Sequence, residues 1–192
     1  PNTPDILTEY LQEGGRGAFA VRAVLAATLA ASYGVYGPPF ERGEHLARSP
    51  GSEEYLHSEK YEVRHWAPDG PESLAPLLTR LNALRRAHPA LQTDRGLRFH
   101  EVDGDSLLCY SKRDPGGDDV VLCVVNTDPH RIRAGIVHLD LGALGVGADE
   151  AFIVHDELAA TAYSWHGPDN YVELDPSAGP AHVFTLRPAA HP

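Results

Sequence analysis

Apolar positions recur along this chain with two different periods, and the change falls near Leu91. Before it the pattern is helical. From Gly17 to Ala31 apolar residues occupy nearly every face, which predicts a helix buried against other elements. From Pro71 to Ala87, the residues Leu74, Leu77, Leu78, Leu81 and Leu84 form a 3.6-residue stripe. Ser73 is a candidate cap for that helix, and His88-Pro89 ends it. Ile6 to Gln12 predicts a shorter helix, broken by Gly14-Gly15. Gly34-Val35-Tyr36 predicts a very short buried strand, ended by Gly37-Pro38-Pro39. Phe40 to Gly70 is long and irregular. Loops of that length are functional or disordered, and Tyr55, Tyr61 and Trp66 argue against plain disorder.

After Leu91 the period shortens. Strand-like runs recur at Leu97–Val102, Leu107–Lys112, Val120–Val125, Ile132–Leu139, Ala151–His155, Ala162–Trp165, Tyr171–Leu174 and His182–Leu186. Asp103-Gly104 is a hairpin signal between the first two, and Asp114-Pro115-Gly116-Gly117-Asp118 separates the second from the third. Short strands with regular turns predict an antiparallel β-sandwich. Val120 to Val125 is apolar on both faces and should lie centrally. Residues 1–91 and 92–192 therefore read as two domains. The first lacks strands to cover its apolar helices, and looks like the closing turns of a (β/α)8 barrel, whose active site lies in the loops after the strands. The predicted fold is α/β plus all-β: the last barrel segments, then a sandwich.

The net charge of −11 disfavours nucleic acid as the main partner. No apolar run is long and uncharged enough for a membrane span. The two cysteines, Cys109 and Cys123, make no disulfide framework, which suits a reduced, cytoplasmic setting. They lie seven residues either side of Gly116, so a simple hairpin would set them opposite each other as small apolar fillers. Of 16 cationic residues only Lys60 and Lys112 are lysine, compact charges retained against a strong arginine bias. The chain has no methionine and opens on Pro1-Asn2-Thr3-Pro4-Asp5, as expected of the C-terminal piece of a larger protein.

Two readings stand for the candidate groups. Asp5 after Pro4 is either an N-cap or a carboxylate serving chemistry. Lys60 beside Tyr61 is either a surface lysine with an anchoring aromatic or a ligand contact with ammonium donors. Glu53, Glu54 and Glu59 read as solvated or loop-fixing carboxylates. The eleven histidines show no zinc spacing, so no metal site is predicted. Trp165 and Tyr171 are the only candidates for an aromatic platform on the sandwich.

Several segments resemble the end of the catalytic barrel in the α-amylase superfamily: Asn2-Thr3-Pro4-Asp5-Ile6-Leu7, Arg22-Ala23-Val24-Leu25-Ala26-Ala27-Thr28 and Gly34-Val35-Tyr36. Within it, Gly51-Ser52-Glu53-Glu54-Tyr55 with Ser58-Glu59-Lys60-Tyr61 resembles the bacterial α-maltose-1-phosphate maltosyltransferases. Arg80 to Leu91, Val124-Val125-Asn126-Thr127-Asp128-Pro129-His130 and His155-Asp156-Glu157-Leu158 extend the likeness across the chain, with a departure around Gly37 to Arg48.

The resemblance implies a retaining transfer of maltosyl units from α-maltose 1-phosphate to the non-reducing end of α-1,4-glucans, releasing phosphate. It implies Asp5 as the transition-state-stabilising carboxylate, and Lys60 and Tyr61 as substrate-binding residues. It also implies no cofactor, and a homodimer formed through a missing N-terminal part. The nucleophile and acid/base would lie outside the chain, leaving these 192 residues inactive alone. The alternatives are another hydrolase or transglycosidase of the superfamily, or a non-catalytic carbohydrate-binding or packing module.

Overall fold

The longest element is a helix, α1, Glu9–Leu29, whose backbone turns out of helical geometry at Gly15 (φ 53°, ψ −152°). The predicted break at Gly14-Gly15 is therefore present as a kink, and only glycine tolerates that conformation without strain. Gly17 has a different job: a Cβ there would lie 2.9 Å from the Pro129 carbonyl, so its small size lets the Asn126–Arg131 turn sit on the helix. The computed structural model describes residues 1–66, 70 and 72–188.

A short helix, α2 (Gly37–Glu41), and a longer one, α3 (Ala75–Ala87), follow, and a 3-10 turn spans Pro89–Gln92. The cap position of α3 is Leu74, with no side-chain cap bond, so Ser73 stands one residue before it and its Oγ accepts from the Ala75 N–H at 3.1 Å; the predicted start at Pro71 lies outside the described residues. Gly34-Val35-Tyr36 forms no strand. A strand needs a partner edge, and the described residues offer none there.

All eight predicted strands are present: β1 (Arg98–Val102), β2 (Leu107–Arg113), β3 (Val120–Asn126), β4 (Arg133–His138), β5 (Ala151–Asp156), β6 (Thr161–His166), β7 (Asp169–Leu174) and β8 (Ala181–Pro188). A one-turn helix, α4 (Leu141–Leu144), joins β4 to β5; Asp140 caps its start, and Gly145 ends it at φ 73°. Every pairing is antiparallel, in the order β6-β5-β8-β3-β2-β1-β4-β7. β1 pairs through residues 98–100 with β2 and through 101–102 with β4, and so carries the sheet from one half to the other. The result is a single curled sheet, nearly a barrel, rather than two separate layers.

Its inner face holds one core, including Leu122 and Val124 of β3, Phe152 and Val154 of β5, Trp165 of β6 and Val172 and Leu174 of β7. Part of the outer face meets the helices. Tyr110, Val121, Cys123, Val125 and Val183 share a second core with Phe19, Val24, Leu81 and Leu91. β3 is therefore buried on both faces, as its unbroken apolar run predicts.

The expected pairing of the cysteines does not occur. The Asp114–Asp119 loop has six residues, so Cys109 faces Val124 across the ladder and Tyr110 faces Cys123. A one-residue offset reverses the face of a side chain. Cys109 points into the inner core and Cys123 toward the helices, both buried and free. Burial pushes each thiol up to about 12.

Candidate functional site

Asp5 is displayed by a tight turn. Thr3 and Ile6 exchange backbone hydrogen bonds at 3.3 Å each, bracketing Pro4-Asp5, and the Asp5 N–H donates to Thr3 Oγ1 at 3.2 Å. The expected helix from Ile6 begins only at Glu9, with Thr8 at the cap position, so Asp5 is not an N-cap. Its side chain is 60% exposed.

The long loop folds over this turn. The Leu7 N–H donates to the Glu53 carbonyl at 2.7 Å, and Gln12 Nε2 bridges the carbonyls of Leu7 (2.7 Å) and Ser52 (2.9 Å). Asn2 Nδ2 donates to the buried Tyr55 hydroxyl at 2.7 Å, while Asn2 Oδ1 accepts from the Tyr36 N–H at 3.1 Å. Three segments distant in sequence are thereby stapled together.

Lys60 lands on Asp5, its ammonium donating to the carboxylate. The same ammonium is 3.5 Å from Glu54 Oε1, which accepts from the Tyr61 hydroxyl at 3.3 Å. Arg48 closes the cluster: it donates to Glu54 Oε2 at 3.1 Å and lies over the Tyr61 ring, 4.9 Å from its centroid. The hydrogen bond from Arg48 holds the Glu54 carboxyl below its usual range, and the bond to Asp5 raises the Lys60 ammonium above its ordinary value. Asp5, Lys60 and Tyr61, 56 positions apart in the chain, thus form one polar surface.

A second ring of contacts supports it. Glu59 accepts from Trp66 Nε1 and the Tyr36 hydroxyl, both at 2.9 Å. These bonds lower the Glu59 carboxyl, and burial with the Glu59 contact lifts the Tyr36 phenol to about 12. Arg64 stacks on the Trp66 ring at 4.0 Å. Glu54 and Glu59 are loop-fixing carboxylates, as read from the sequence. Arg48, Asn2 and Tyr36 were not legible as partners, because no local pattern joins residue 2 to 36 and 55. Among the described residues no three His, Cys, Asp or Glu side chains are grouped to hold a metal. Several histidines instead pair with carboxylates, such as His182 with Asp156 at 2.7 Å and His88 with Asp119 at 2.7 Å.

Two solved structures similar to this one are those of α-amylases. A maltogenic α-amylase, AmyB, from Thermotoga neapolitana superposes with a TM-score of 0.59 at 12% identity, over 92% of this chain and 37% of that one. An Anoxybacillus α-amylase gives 0.53 at 12%, over 91% and 33%. At such identity the likeness is one of fold.

Sequence narrows the class. Residues 99–186 match the family described as GLGE, C-terminal. An alpha-1,4-glucan:maltose-1-phosphate maltosyltransferase of Streptomyces coelicolor is 52% identical over 190 residues, 97% of this chain and 28% of that protein. Those of Mycolicibacterium smegmatis and Salinibacter ruber are 49% and 47% identical, over 96% and 98% of this chain. Over the stretch they share, this chain is closely similar to these maltosyltransferases. It spans between 27% and 28% of the length of these three relatives. Among the described residues no helix is long and apolar enough to cross a membrane.

Proposed function

We propose that the protein carrying this chain transfers maltosyl units from α-maltose 1-phosphate to the non-reducing end of α-1,4-glucans, with retention at the anomeric carbon. In this reading residues 1–91 complete a catalytic (β/α)8 barrel and residues 92–192 form the domain that closes it. The observation that carries the proposal is the meeting of Asp5, Lys60 and Tyr61 on one surface, within a chain so similar to maltosyltransferases.

The chemistry sets the roles. Breaking the bond from the anomeric carbon to the phosphate oxygen builds positive charge on the sugar ring, and phosphate leaves with the bonding pair. A nucleophilic carboxylate and an acid/base carboxyl ~5–5.5 Å apart then form and resolve a glycosyl-enzyme intermediate; both are supplied from outside these 192 residues. Asp5 is the third carboxylate, gripping ring hydroxyls and stabilising the developing charge. Lys60 orients Asp5 and, with Tyr61, donates to donor hydroxyls. Glu54 and Arg48 hold both binding residues in register. The family resemblance extends to a homodimer, and the buried free thiols accord with a reducing cytoplasm.

Replacing Asp5 by Asn in the full-length protein tests the reading. D5N should lower maltosyl transfer about 10²–10³-fold, the scale of losing one preorganised electrostatic contact. Unchanged turnover would remove Asp5 from the mechanism. Release of free maltose from starch, with maltose 1-phosphate ignored, would make the protein a hydrolase of the same superfamily.

A further inference from the structure

β6 and β7 are consecutive in the chain but stand at opposite ends of the strand order, so the curled sheet has a seam between them. At that seam lies a cleft of about 250 Å³. Tyr163 and Trp165 of β6, with His182 of β8, form one wall, and Tyr171 and Glu173 of β7 form the other. No residue of this cleft belongs to the Asp5 cluster.

Two of its aromatics stand open at the surface. Trp165 is 8% exposed and packs on Phe184, ring centroids 5.2 Å apart, and Tyr163 meets the same Phe184 edge-on at 6.1 Å from outside the core. Tyr163 is 42% exposed and Tyr171 58%. Tyr163 stands edge-on to His182 at 6.0 Å. Tyr171 donates its hydroxyl to Glu173 at 2.8 Å, so a ring and a carboxylate are held together on the open wall.

The lining selects the ligand. Aromatic faces suit the C–H surface of a ring, while the phenols, the imidazole and the carboxylate suit hydroxyls around its edge. No lysine or arginine lines the cleft, so a phosphorylated sugar finds no counter-charge there. A purely apolar ligand would take the Glu173 carboxylate out of water with only the Tyr171 hydroxyl to bond it. At about 250 Å³ the cleft lies just below the ~300–1,000 Å³ of small-molecule pockets, room for one sugar ring rather than a longer segment. We propose that this seam is a second saccharide site, which takes a neutral pyranose: a glucose unit of the glucan chain. The identification of that pyranose as α-1,4-linked glucose rests on the functional reading above; the preference for a neutral ring does not.

The site holds the polymer rather than reacting with it. Its test is the mobility of the full-length protein in native gels containing glycogen, with a maltoheptaose titration alongside. Y163A/Y171A should bind glycogen weaker by about tenfold, the scale of losing two stacked faces, while transfer to a short acceptor stays at the wild-type rate. Y163F/Y171F, which keep the rings and lose only the phenols, should bind more tightly than Y163A/Y171A and more weakly than wild type. Y171A alone, at the more exposed position, should show part of the loss and keeps the test valid if the double variant does not fold. Glycogen retardation unchanged in Y171A and in the double variant would overturn the proposal. So would loss of self-association with glucan binding intact, which would make the seam a contact between copies. D5N separates the two ideas. Full turnover in D5N with glucan binding lost in the tyrosine variants sinks only the functional reading. The opposite pattern sinks only this one.

Discussion

The ammonium of Lys112, on β2, donates to the carbonyl of Leu29, the last residue of α1, at 3.0 Å. Two positions earlier on the same strand, the Tyr110 hydroxyl meets Thr28 Oγ1 at 2.6 Å. The sheet thus receives the C-terminus of the helix, where orphan carbonyls and the negative end of the dipole favour a cation. The Lys112 side chain is only 1% exposed, and burial lowers its ammonium from the ordinary value. Replacing it by Ala should cost about 2–4 kcal/mol, because a buried stem is lost and a buried carbonyl is orphaned. Urea denaturation of K112A checks this; a midpoint equal to wild type would contradict it.

Arg85 serves the same helix end from α3. Its guanidinium donates to the carbonyls of Ala27, Ala30 and Ala31, and to that of Leu91 beyond its own helix, at 2.9 Å to Ala30 and 3.0 Å to Leu91. A lysine cannot reproduce a planar fork. R85K should therefore lose about 1–3 kcal/mol despite keeping the charge. Amide exchange around residues 27–31 should speed up in R85K. Exchange rates matching wild type would reject the capping account.

His100 gives the stability a pH dependence. It is buried, accepts from the Asp140 N–H at Nδ1 (3.2 Å), and meets Ser111 Oγ through Nε2 at 2.9 Å. That pattern fits the neutral ring with its proton on Nε2. Burial, then the Arg98 charge, lowers its pKa below 6.5, against a small opposing effect of Asp140. Below 6.5 the unfolded chain binds the proton first, so this contribution to stability is present at higher pH and lost as pH falls from about 6.5 through the folded pKa. The loss of stability between pH 8 and pH 5.5 should be smaller in H100Q than in wild type. Equal losses in the two proteins would rule His100 out as its source.

On the proposed function, Lys60→Met should act mainly on donor binding. A hydrogen bond from a charged donor is worth about 1.5–3 kcal/mol, so kcat/KM for α-maltose 1-phosphate should fall roughly 10–100-fold, more through KM than kcat. The pairing with Asp5 keeps the ammonium protonated beyond its ordinary range, so Lys60 should add no alkaline limb to the rate profile. A fall in kcat alone would point to Asp5 being misplaced rather than a lost contact.

The strands were legible because each carries its own local signal: alternating or continuous apolar residues, and turn chemistry such as Asp103-Gly104 between β1 and β2. Motif context singles out Asp5, Lys60 and Tyr61, and the structure brings the three together. Local signals stop at the strand, however. The offset that puts Cys109 against Val124 depends on counting the loop between them. The division of β1 between two partners, and the meeting of Asn2 with Tyr36 and Tyr55, depend on contacts with no period along the chain. The sequence points to Trp165 rather than Tyr163 as a surface aromatic, yet Trp165 is buried and Tyr163 exposed, because exposure at a seam follows from how the sheet closes.

β3 answers to two masters. Its even-numbered residues Leu122 and Val124 belong to the interior of the curled sheet, and its odd-numbered neighbours Val121, Cys123 and Val125 belong to the helices. A cut at the helix–strand junction would divide the polypeptide without dividing the packing. The released sheet would carry a greasy strip, and the released helices would lose their floor. Such a module resists being transplanted as a cassette: a host that borrows the sheet must also supply the helical roof that fits it.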